Sequence, residues 1–210
     1  SITIDRSKIP NTCGTTLANY PMLFSVTDAN LKVTGGHVTD AGGDDIIFRG
    51  LDATTCGGPS SCTLDHQIEK YVNTTGELVA WVRLPSVNTS AAGSDTVIYV
   101  YYGDSSVTTP TENPTGVWDA NYAGVWHVKD GTTLSAADST VNANNGTKQG
   151  TPSAVGGQID GAANFSGSGD DFAITSISLN GVSYTISTWF NSPFPVPTGA
   201  TYNTLTRGST

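Results

Sequence analysis

Thr96–Tyr102 (TVIYVYY) is an unbroken run of β-branched and aromatic residues, closed by Gly103 and Asp104. It constrains the fold more than any other stretch. In a strand, Val97, Tyr99 and Tyr101 point one way and Ile98, Val100 and Tyr102 the other. Apolar character on both faces predicts a central strand covered on both sides. A chain that must bury such a strand needs partner strands, and the hundred residues before it supply them.

Ile2 and Ile4 alternate with Thr3 and Asp5, which predicts a strand over Ile2–Ile9. Further strands are expected at Tyr20–Thr27, with Pro21 near the start where a missing donor is tolerated, and at Asp45–Arg49. A short, glycine-interrupted one is expected over Leu31–Val38. His66–Tyr71 reads as alternating, Gln67 and Glu69 against Ile68 and Lys70. Asn73–Gly76 is a hairpin turn, after which Leu78, Ala80, Val82 and Leu84 share one face. Short strands separated by Gly, Asn and Asp turns, with no helical periodicity, predict an antiparallel β-sandwich. The Pro- and Thr-rich run at 108–115 is expected to be an extended linker between residues 1–107 and a second domain at 116–210.

Composition narrows the partners. With 9 Lys+Arg and a formal net charge of −9, nucleic acid is a poor partner. Glu69, Glu77 and Glu112 are the only glutamates, so the acidity is carried by Asp, a residue of turns and loops. No apolar run reaches the roughly 18 residues of a membrane span. The opening directly into a strand, with no initiator Met and no signal peptide, suggests a mature, processed chain. Cys13, Cys56 and Cys62 make an odd count, from which one structural disulfide is expected, the pairing left open. Zinc is disfavoured, because a fourth ligand would have to be His66 or Asp65 at an unsuitable spacing. Asn73, Asn88, Asn145 and Asn164 match the glycosylation sequon, as chance provides in a chain rich in Asn, Ser and Thr.

ITID, YPMLFSV, DDIIFR, LDHQIEKY, LVAWVRLP and IYVYYGD, in that order over about Ser1–Thr115, resemble a bacterial domain of unknown function. That family occurs in secreted and surface proteins, some associated with type IV pilus systems. The resemblance implies a β-sandwich and an extracytoplasmic location, and brings no catalytic residues. From Gly116 on, VWDANYAGVWHVKDG, AADSTVNANNGTKQG, GGQIDGAANFSGSGDDFAI and YTISTWFN resemble laminin-G-like, concanavalin-A-type jelly rolls. Val125–His127, Ala162–Phe165, Phe172–Ile174 and Tyr184–Phe190 are the expected strands there, with Trp126 and Trp189 in its core. The expected architecture is therefore all-β, two tandem antiparallel sandwiches, the second a jelly roll that looks truncated.

The candidate chemistry is sparse. The concanavalin-type fold hosts glycoside hydrolases that use two carboxylates, but no Glu follows Gly116. His66 beside Glu69 is a candidate acid–base pair, against the simpler reading of two polar positions on a half-exposed strand. Calcium is the one cofactor worth placing. Asp138 with Asn142 and Asn144 is the candidate loop, with Asp170 or Asp171 contributing, and Asx turns that cap their own backbone are the alternative. Trp118 and Tyr122 are candidates to stack a sugar or to stabilise the domain contact. The expectation is a non-enzymatic, secreted or cell-surface adhesion protein whose partner is a glycan, a surface protein or further copies of itself. The alternative is a filament, sheath or pilus subunit that assembles by strand pairing.

Overall fold

Apolar residues at every second position dominate the first hundred residues, and this alternation builds seven strands. The protein's structure, a computed structural model, describes residues 1–129, 133–166, 169–174, 177–178 and 183–191. The strands are β1 (Ile2–Ile4), β2 (Thr16–Thr27), β3 (Ile47–Gly50), β4 (Cys62–Leu64), β5 (His66–Val72), β6 (Glu77–Asn88) and β7 (Thr96–Tyr101). They form two antiparallel sheets, ordered β1-β7-β3-β4 and β2-β6-β5. Between them lies one core, in which Ile46, Phe48 and Ile98 meet Leu78, Ala80, Val82 and Leu84. The fold is an all-β sandwich, as the alternation requires.

β7 sits between β1 and β3, so the opening run is central in its sheet. It is covered on one side only. Ile98 and Val100 join the core, while Tyr101 on the other face is 44% exposed. Leu31–Val38 is not a strand; it opens in a short turn, Ala29–Leu31, that places Leu31 in the core. The β5–β6 hairpin turns at Gly76, whose φ is +75°, and a Cβ there would fall on the Asp28 carbonyl oxygen.

β5 departs from strict alternation. Ile68 pairs with Ala80 and Lys70 with Val79, so Glu69 is the extra residue of a β-bulge. Tyr71 then faces the core, donates to the Leu31 carbonyl at 2.6 Å, and has its hydroxyl pushed up to about 12 by burial.

The segment expected as a linker covers the free edge of β5. Asn113 N–H donates to the His66 carbonyl at 2.9 Å, and the Glu112 carboxylate accepts from Ile68 N–H at 2.8 Å. The Thr111 hydroxyl donates to the Asp44 carbonyl at 2.8 Å. Helix α1 (Pro114–Val117), opened by a proline whose missing N–H is no loss there, buries Val117 and delivers Trp118 to the outer face of β5 and β6.

Residues 1–178 and 179–210 form separate compact units. Late in the first unit, β8 (Thr147–Gln149) pairs with β11 (Asp171–Ala173) and β9 (Ser153–Gly156) with β10 (Gly161–Asn164), as two antiparallel pairs. The strands expected near Ala162 and Phe172 are therefore present. Val125–His127 is not a strand; Trp126 is tied by its indole N–H to the Asn144 carbonyl. In the second unit, residues 184–190 carry no strand and Trp189 is 75% exposed, not a core residue. A further strand expected over Thr204–Arg207 lies outside the described residues.

Candidate functional site: a braced cleft beside β5

The outer face of β5 and β6 holds a polar cluster under an aromatic cover. Gln67 on β5 stands opposite Trp81 on β6. The bulge brings Glu69 to the same face, where its Oε2 accepts from Trp81 Nε1. His127 Nδ1 lies 3.1 Å from that same oxygen, with both side chains under one-tenth exposed. The other ring nitrogen of His127 is 3.1 Å from Gln67 Oε1, which also accepts from Trp118 Nε1 at 3.0 Å. An indole nitrogen can only donate, so the Gln67 atom facing it must be the oxygen. Its amide nitrogen then donates to Ser139 Oγ at 2.8 Å. The rings of Trp81 and Trp118 sit 5.2 Å apart, and Tyr122 packs edge-on to Trp118 at the same separation. Residues 118–129 and Ser139 are thereby pinned on the sandwich by buried polar groups that partner one another.

Next to this cluster is a cleft of about 300 Å³ between the Gly42–Asp44 turn, β5 and residues 110–112. Asp44, Glu69 and Glu112 line it together with Lys129, whose ammonium donates to the Ile68 carbonyl at 3.2 Å. Loss of hydration, then the nearby Asp40, Glu112 and Asp45 carboxylates, push the Asp44 carboxyl above its usual range. Its neighbour Asp45 behaves oppositely. Burial works against its charge, but hydrogen bonds from Thr39, Gly103 and Asp40 outweigh burial and hold its carboxyl below the usual range.

The residues singled out on sequence are placed as follows. Cys56 and Cys62 form a disulfide with Cα atoms 5.8 Å apart, and the Cys13 side chain lies outside the described residues. Trp118 is 5% exposed, so its faces are taken by neighbouring rings, whereas Tyr122 stays partly open. Asp138 ties its own loop. One carboxylate oxygen accepts from Val125 N–H and Thr140 N–H, the other from the Thr140 hydroxyl and Asn144 N–H, all within 2.9 Å. Burial raises its carboxyl, and these bonds outweigh that and lower it. The side-chain amides of Asn142 and Asn144 donate to carbonyls of Tyr122 and Ala123. Asp170 accepts from Thr151 and Ser166 N–H, and Asp171 begins β11. Among the described residues no three His, Cys, Asp or Glu converge as a metal would need. His66 does not pair with Glu69. It points into the core against Phe48, ring centroids 5.3 Å apart, because the two residues lie on opposite faces of β5.

Gln67, Glu69 with His127, Glu112 and Lys129 were not picked out from the sequence as a site. Their one local signal was rarity: two of the chain's three glutamates line this cleft.

A sequence model of a protein family described as a domain of unknown function (DUF2341) matches residues 58–140. Gln67, Glu69, Trp81, Trp118, His127 and Ser139 all fall inside that span. Comparison with curated proteins found no match, and comparison with solved structures found none. No helix among the described residues is long and apolar enough to cross a membrane.

Proposed function

We propose that this chain is a non-enzymatic attachment module of a secreted or cell-surface protein, and that its 116–210 portion binds a glycan. The observation that carries this reading is Tyr122. Its ring is partly open and is braced from behind by the buried Trp118, a rigid aromatic platform of the kind a pyranose face stacks on. The Cys56–Cys62 disulfide supports an oxidising, extracytoplasmic setting. The resemblance of residues 116–190 to laminin-G-like domains, and of the first sandwich to surface and pilus-associated proteins, points the same way. A glycan array probed with the protein and with Tyr122→Ala tests it. Saturable binding of a defined glycan class, lost in the variant, is expected. No binding, or equal binding by both proteins, overturns it.

A second reading is a structural subunit that adds strands between copies. It is favoured by β2, a 12-residue strand that forms one end of its sheet. Pro21 weakens it by removing a donor in mid-strand. Electron microscopy of the purified protein separates the two readings, since filaments are visible without any ligand.

A further inference from the structure

We propose that the outer face of the β1-β7-β3-β4 sheet is a binding platform for an acidic glycan built of hexuronates, pyranoses that carry a carboxylate. Arg49 takes the acid, and Tyr99 and Tyr101 form the surface the sugar lies on. This sheet is not the one that Trp118 covers, and the site does not rest on Tyr122.

Register places these residues together. Phe48, Ile98 and Val100 point into the core, so Ile47, Arg49, Tyr99 and Tyr101, which alternate with them, share the outer face. Arg49 stands opposite Tyr99 and Ile47 opposite Tyr101. Thr63 on β4 flanks Arg49 from the other side.

Arg49 is the only charged residue in the four strands. In a chain of formal net charge −9 it still has no acid of its own. Arg6 pairs with Asp95 and Arg83 with Asp65, whereas Arg49 makes no ion pair or hydrogen bond with any described residue. Its Nε is buried without an acceptor. That nitrogen has given up water and gained nothing in return, so the positive charge is under-solvated and an anion near it is favoured. The two terminal nitrogens are not sealed off in this way. A carboxylate can meet both end-on, the paired geometry that a guanidinium offers and an ammonium does not.

The tyrosines select a sugar acid over a bare anion. Tyr99 and Tyr101 are two residues apart on one strand, which spaces them by about 7 Å along the open face. Tyr101 is 44% exposed, and neither ring packs on another ring among the described residues. Each offers an apolar body with a polar tip, the combination that suits the apolar face and hydroxyl rim of a pyranose. Area then selects a glycan over a protein. The strands are three, six, four and three residues long. At about 4.8 Å between strands and about 3.3 Å per residue, the platform covers roughly 250 Å². A stable protein partner needs about 800 Å² on each side, whereas a short oligosaccharide is matched by the smaller area.

The test titrates the whole chain with trigalacturonate and with trimannuronate, following backbone amide resonances by NMR. The fully methyl-esterified trimers are the neutral isosteres, and a poly-aspartate peptide is the non-sugar polyanion. Saturable shifts at Ile47, Arg49, Tyr99 and Tyr101 are expected with at least one uronate, and none with its ester. Arg49→Gln should weaken binding about ten-fold or more, and Arg49→Lys should not restore it, because the fork is lost. Tyr101→Ala should weaken binding about ten-fold as well. Both side chains point away from the core, and thermal melts check that each variant is folded. No saturable shifts with either uronate, equal shifts with the esters, or unchanged binding in the folded variants would each overturn the proposal. Equal binding of poly-aspartate would make the face a general anion site and overturn its assignment to a sugar. Tyr122→Ala should bind the uronate as the parent does, and loss of binding there would place the acidic sugar elsewhere. A glycan lost in Tyr122→Ala but kept in Arg49→Gln belongs to the Tyr122 site, so the two readings fail separately.

Discussion

At the scale of single residues, Gly50 and the buried titratable groups make the sharpest claims. A Cβ on Gly50 would sit 2.8 Å from Cys56 Sγ and 3.1 Å from Cys62 Sγ, so the end of β3 admits no side chain while the disulfide lies across it. Gly50→Ala should lower stability by about 2 kcal/mol, in the range for overpacking. Urea melts of oxidised and reduced protein check this: the penalty should shrink on reduction, because free thiols can move aside. Acid should act in two windows. Burial lowers the His66 imidazole, against the pull of the Leu64 carbonyl and of Glu112 and Asp65. A depressed folded-state value means that stability is fully present above the unfolded value, near 6.5, and declines as pH falls below it. Asp45 is also depressed, so its contribution is present above about 3.9 and is lost at lower pH. Melting temperatures at pH 7, 5.5, 4 and 3 should fall in both windows, and His66→Leu should flatten only the upper one. Sequence showed His66 as polar on a strand. It could not show the side, because the side is fixed by Phe48 and the opposing sheet.

At the scale of elements, alternation revealed the sandwich strands well. The set Leu78, Ala80, Val82 and Leu84 is the core face of β6. Two features were not legible in the sequence, for physical reasons. Alternation treated β5 as regular, and a bulge leaves no mark in residue types. At residues 108–115 the Pro- and Thr-rich composition pointed to an extended linker, and Thr, Pro, Asn and Glu carry no pattern that distinguishes a free chain from one hydrogen-bonded along a strand edge. The amides of Ile68 and Asn113 should exchange slowly in hydrogen–deuterium exchange, at rates close to those of β6, since both are engaged across that edge. Exchange as fast as in exposed turns would show that the edge cover is not closed. The Glu69–His127 pair anchors residues 118–129. Glu69→Ala or His127→Ala alone should cost about 3 kcal/mol, the penalty for stranding one partner of a buried ion pair. The double variant should cost less than the sum by more than about 1 kcal/mol in a urea double-mutant cycle.

At the scale of the whole molecule, the all-β class and the disulfide-bearing sandwich were legible from composition, turn residues and cysteine spacing. The polar cluster was not. It joins residues 67, 69 and 81 to residues 118, 127 and 139, and no local pattern reports a contact across that separation. It also sets where the chain can be cut. A fragment ending at Thr115 loses Trp118, His127 and Ser139, leaving Gln67 without its side-chain partners, Glu69 with Trp81 alone and the Trp81 ring uncovered. A fragment of residues 1–178 keeps all of them. The longer fragment should melt cooperatively at nearly the full chain's temperature. The shorter should melt at least 5 °C lower, or aggregate, since about 3 kcal/mol of lost pairing is a sizeable part of a domain's stability. Equal melting of the two fragments, read by circular dichroism and calorimetry, would show that the outer cluster contributes little.

The bulge in β5 carries one consequence for how such a chain can vary. Glu69 is the surplus residue of its ladder: Ile68 already faces Ala80 and Lys70 already faces Val79 without it. Losing a single codon there would leave every remaining pair of β5 and β6 in register and every core side chain on its own side. The protein would keep its architecture and lose its buried carboxylate, so lineages of this fold can shed or regain the cleft's chemistry in one genetic step.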